Sequence, residues 1–77
     1  MFCKYIILKK NFVPILFHSA VEHIVEANGR EVRSAGFVRI NFSTGEIECL
    51  GGSTSLGGIL ADPITDPQLI RKMLENG

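Results

Sequence analysis

Seventy-seven residues hold a single domain, residues 1–77, and a domain near this size buries only about 60% of the surface its unfolded chain exposes. Eight basic residues balance eight acidic ones, so no net field draws the chain to nucleic acid or anionic lipid. The composition is 45% hydrophobic and only 21% charged, more apolar surface than a small core uses, which points to a homodimer as the commonest way to cover it.

In chain order, residues 3–9 (CKYIILK) and 12–17 (FVPILF) read as strands, being short, apolar and rich in β-branched or aromatic residues. Lys10 and Asn11 supply the turn between them. Ile6-Ile7-Leu8 and Ile15-Leu16-Phe17 are consecutive, so both faces of this hairpin need cover, and Pro14 places its second strand at an edge. The apolar run Tyr5–Leu8 is far shorter than a signal segment or the roughly 20 residues of a membrane span, so a cytoplasmic protein is expected.

The period then changes. Ser19 and Glu22 have the spacing of a capping box, and Val21, Ile24 and Val25 follow at helical intervals to an Asn28-Gly29 stop, which predicts a helix over 20–27. Val38, Ile40 and Phe42 alternate with polar residues, Ser43-Thr44-Gly45 turns the chain, and Ile47 and Cys49 alternate again. A turn at Thr44-Gly45 would set Phe42 opposite Ile47 and Ile40 opposite Cys49. Residues 51–65 lack a clear period. Asp66 as N-cap and Pro67 at the first helical position open a last helix with Leu69, Ile70, Met73 and Leu74 as its apolar stripe, and Gly77 can close it. The order ββαββα predicts an α+β fold with a small, mainly antiparallel four-stranded sheet and two short helices on one face.

The run CLGGSTSLGGIL, residues 49–60, is the candidate site, with Gly52, Ser53, Thr54 and Ser55 as ligand-binding residues and His18 beside them. Gly52 to Gly57 has the gap of a phosphate-binding loop, but Gly58 and Ile59 stand where Lys and Ser or Thr belong. Neither a dinucleotide fingerprint nor a nucleophile elbow is complete. The loop 51–58 could bind a small anion through its amides, or pair Ser53 or Ser55 with His18 or His23 and Asp62 as a hydrolase, or simply connect two elements.

His18 and His23 are five apart, the wrong interval for one helical face, and Cys3 and Cys49 lack CxxC spacing, so no metal and no cofactor are expected. Two reduced thiols are the expected state. Arg30, Arg33 and Arg39, with Lys9 and Lys10, are the only hint of weak nucleic-acid binding.

VPILF, a histidine in the following helix, SAGFVRI, GEIECLGGSTSLGG and DPQLIRKML together resemble a pattern in short proteins of bacteria and their phages. That resemblance implies a prokaryotic or phage origin and carries no activity. The expected function is a small non-enzymatic interaction or structural protein, homodimeric through the first hairpin, where Ile6, Leu8, Ile15 and Phe17 supply surplus apolar surface.

Overall fold

The computed structural model describes residues 1–76. Strands β1 (Phe2–Leu8) and β2 (Pro14–Phe17) form the first hairpin, α1 (His23–Ala27) follows, and β3 (Val32–Asn41) and β4 (Glu46–Leu50) form the second. Two-residue strands β5 (Gly52–Ser53) and β6 (Ile59–Leu60) then lead into α2 (Thr65–Asn76). The first four strands make one antiparallel sheet in the order β2-β1-β3-β4, and β5-β6 form a separate ribbon. The architecture is the expected α+β with a small four-stranded sheet, and Pro14 begins an edge strand as read.

The helices divide between the two faces instead of sharing one. Alternation along β1 sends Tyr5 and Ile7 one way and Ile6 and Leu8 the other. Tyr5 and Ile7 join Val38, Ile40, Cys49 and Ile70 of α2 in one core cluster. Ile6 and Leu8 join Ala35 and Ala27 of α1, with Leu56 and Ile59 of the β5-β6 segment, in the other. The consecutive apolar residues of β1 are thus covered on both sides from within the chain, including Ile6 and Leu8, which motivated a dimer.

Several local expectations need correction. The capping box does not form: α1 begins at His23, Glu22 makes no side-chain cap hydrogen bond, and the Ala20 amide donates to Nδ1 of His18 instead. The apolar stripe Ile24-Val25 faces out, while His23 and Ala27, one turn apart, face in. Asn28 does adopt the left-handed stop, with φ 51°. In the second hairpin the register is two residues from that expected, Ile40 facing Ile47 and Val38 facing Cys49. The cause is Asn41, whose side-chain oxygen accepts the amides of Ser43 and Thr44 and builds a longer turn that leaves Phe42 exposed. A slip of two preserves the faces, so the core assignment of Ile40, Ile47 and Cys49 survives.

In the first hairpin the left-handed residue is Phe12, φ 56°, rather than Asn11, which accepts the Val13 amide. Asp66 lies inside α2 and is fully buried; Asp62 takes the capping role by accepting the amides of Ile64 and Thr65. Closure of α2 at Gly77 lies outside the described residues.

Candidate functional site

Past Leu50 the chain leaves the sheet through Gly51, φ 76°, and the β5-β6 ribbon returns it alongside β3. The loop is tied by its own backbone: Gly57 donates to Thr54, Gly58 to Ser53, and Ala61 to Gly51. Gly57 and Gly58, at φ 73° and 86°, turn where an L side chain is strained.

The hydroxyls are committed as well. Ser53, buried, accepts the Leu56 amide at 3.2 Å and shares a 3.2 Å bond with Ser55, whose Oγ in turn accepts the Ile24 amide at 3.2 Å. Ser53 therefore closes the turn, and Ser55 fastens it to the start of α1.

Gly52, Ser53, Thr54 and Ser55 do line a common cleft of about 540 Å³, together with Lys4, Glu22, His23 and Phe37. His18 is not among its lining residues, and its Nδ1 is engaged by Ala20. His23 takes that place. Its Nε2 lies 2.9 Å from the Gly36 carbonyl, an acceptor, so Nε2 carries the proton; its ring meets Phe17 and Phe37 edge-on. Lys4 donates to the Val21 carbonyl at 3.0 Å. Ser53, Ser55, His23 and Lys4 thus each make a hydrogen bond that holds the loop or α1 in place. Ser53→Ala is expected to lower stability by about 1 kcal/mol in urea denaturation, since it strips the Leu56 amide of its partner.

A second polar cluster lies on the opposite face and was not read from the sequence. Asp66 accepts Tyr5 Oη at 2.5 Å, Ser34 Oγ at 2.7 Å and the Asp62 amide at 2.9 Å, with Arg33 Nη1 at 3.6 Å. Arg33 also reaches Asp62 at 3.6 Å and lies over the Phe12 ring. The Thr65 amide, aided by Ile64 and Arg33, holds the Asp62 carboxyl below its usual range, while burial and the Asp66 carboxylate push the Tyr5 hydroxyl well up. This carboxylate joins β1, β3 and α2 and is closed to solvent, so its chemistry is structural.

Cys3 and Cys49 both face the core on strands flanking Val38, about two strand spacings or roughly 9–10 Å apart, too far for a disulfide. Burial pushes the Cys49 thiol from 9.0 up to about 12. The folded state therefore favours the protonated thiol, and this contribution is complete below about pH 9 and lost as pH rises toward 12. At pH 8 a thiol reagent is expected to modify Cys3, which is half-buried, and to reach Cys49 only on unfolding.

The basic residues are mostly engaged: Arg30 bonds the Ala27 and Glu26 carbonyls, Arg39 pairs with Glu48 at 2.8 Å, and Lys9 with Glu31 at 3.6 Å. Among the described residues no group of three or more His, Cys, Asp or Glu is placed to hold a metal, and no helix is long and apolar enough to cross a membrane.

One half of a sheet face remains open. Beyond the cover of α1 and the β5-β6 segment, Phe2 and Phe37 stack at 5.7 Å with rings 7° apart. Arg39 lies over Phe2, Lys4 over Phe37, and Leu50 and Glu48 complete the patch on β4. Phe2 is 52% exposed and Leu50 37%. The fold and this surface define a small α+β domain whose apolar residues are partly left outside. No protein-family model, curated protein or solved structure matches the chain.

Proposed function

We propose that this is a small non-enzymatic interaction protein that acts as a homodimer, with the first hairpin contributing to the contact. The observation that carries the reading is Phe2, on β1, standing half-exposed and stacked on Phe37, with Leu50 on the same half of a sheet face that the chain leaves uncovered. Contiguous apolar surface of this kind is characteristic of contact sites. The contact rests on this open half-face and not on Ile6 and Leu8, which α1 and the loop cover. The commitment of Ser53, Ser55 and His23 to internal hydrogen bonds supports the connector role of the loop over ligand or anion binding. Pairing of Arg39 and Lys9 with carboxylates weakens the nucleic-acid alternative. Two free thiols too far apart to join suit the reducing cytoplasm of a bacterial or phage-infected cell.

Sedimentation velocity across a concentration series tests the reading. The mass should rise from one chain of 8.5 kDa toward twice that value. A single-chain mass up to millimolar concentration would overturn it.

A further inference from the structure

Resting on the homodimer reading, the inference concerns which surface meets which. On the open half-face, β1 presents Phe2 and Lys4, β3 presents Arg39 and Phe37, and β4 presents Glu48 and Leu50, with Phe2 opposite Arg39 opposite Glu48 in one row and Lys4 opposite Phe37 opposite Leu50 in the next. Lys4 and Glu48 are therefore at diagonal corners, with the stacked rings and Arg39 between them. Lys4 uses one ammonium proton on Val21 and keeps two further donors, and Glu48 gives Oε1 to Arg39 and keeps Oε2.

We propose that this half-face is the seat of a second copy of the same chain, packed face to face about a two-fold axis that sets Lys4 of each protomer against the partner's Glu48. An isologous contact repeats every pairing twice, so a patch carrying both signs at opposite corners is complementary to itself. The rings and Leu50 then lie between two ion pairs, with the sheets about 10 Å apart. A polyanionic strand would meet the carboxylates of Glu48 and, in the adjoining cleft, Glu22. A second copy instead answers each Glu48 with the partner's Lys4.

The test uses Lys4→Glu and Glu48→Lys, each checked for native circular dichroism, in sedimentation equilibrium. Alone, Lys4→Glu faces two carboxylates in each pairing and Glu48→Lys two ammonium groups, so each variant should dimerise at least about tenfold more weakly than the parent chain. Mixed in equal amounts, the two variants restore opposite charges at both corners and should form a heterodimer of near-parental affinity. Dimers unaffected by either substitution, or weakened dimers not restored by mixing, would overturn this geometry while leaving the homodimer reading standing. A parent chain that stays monomeric would overturn both. Binding of a single-stranded oligonucleotide that competes with dimerisation would assign the face to nucleic acid and overturn the proposal.

Discussion

Asp66→Ala is expected to cost about 3–5 kcal/mol. The carboxylate is inaccessible to solvent and serves Tyr5, Ser34, the Asp62 amide and Arg33 together. Removing it strands a phenol, a hydroxyl and an amide in an enclosed site and leaves Arg33 with Asp62 alone. A domain of this length has roughly 4–12 kcal/mol in total, so the melting temperature should fall by at least about 12 °C. Asp66→Asn keeps one oxygen for Tyr5 and the Asp62 amide but turns its NH2 toward Ser34 and Arg33, so its cost should be smaller than that of alanine. Tyr5→Phe, which removes one of four partners and leaves the carboxylate otherwise satisfied, should cost about 1–2 kcal/mol. Urea denaturation of the three variants checks the order; an alanine variant as stable as the parent would mean that the carboxylate does not hold α2 to the sheet.

Gly36→Ala should follow closely, at about 3 kcal/mol, the upper end of overpacking. A Cβ at this position would lie 2.5 Å from the Leu50 carbonyl oxygen and 3.1 Å from Cβ of Ala61. The first obstacle is backbone at the end of β4, and moving it opens the junction where the chain leaves the sheet for the β5-β6 ribbon. The Gly36 carbonyl also receives His23, so displacement there loosens α1 on the opposite face. Gly57→Ala is the informative comparison. It has open space around it but a positive φ of 73°, so it should cost only about 1–2 kcal/mol through backbone strain. Equal costs at the two positions would remove close approach as the reason for glycine at 36.

The elements were legible because hydrophobic period and turn chemistry are local. Alternation through Val38, Ile40, Ile47 and Cys49 gave the second hairpin its faces, and Pro14 marked an edge. What escaped was set by neighbours distant in sequence. The N-terminal half of β3, Val32–Phe37, reads as small and mixed residues because β1, β5 and β6 crowd it from several sides. Helix α1 inverts its apparent amphipathicity because His23, a polar residue by type, finds a backbone acceptor on the sheet and two aromatic rings, while Ile24 and Val25 find nothing. Asp66 looks like an N-cap from the Asp-Pro pair, yet Asp62, four residues earlier, caps the turn and frees Asp66 to point inward. In the Gly/Ser loop the sequence showed which residues gather but not that their hydroxyls are turned on the loop itself, since only the tertiary fold brings the Ile24 amide to Ser55. The exposed Phe2-Phe37 stack was invisible for the same reason: aromatic residues in strands read as core until the covering layer is placed.

The most direct test of the central claim, that the open half-face is the contact surface of an interaction protein, is a dilution series of amide spectra by NMR. Peaks of Phe2, Lys4, Phe37, Arg39, Glu48 and Leu50 should shift together with concentration, while those of the loop 53–58 should hold still. Spectra that do not change on dilution, or shifts gathered at the Gly/Ser loop or on α2 instead, would contradict it.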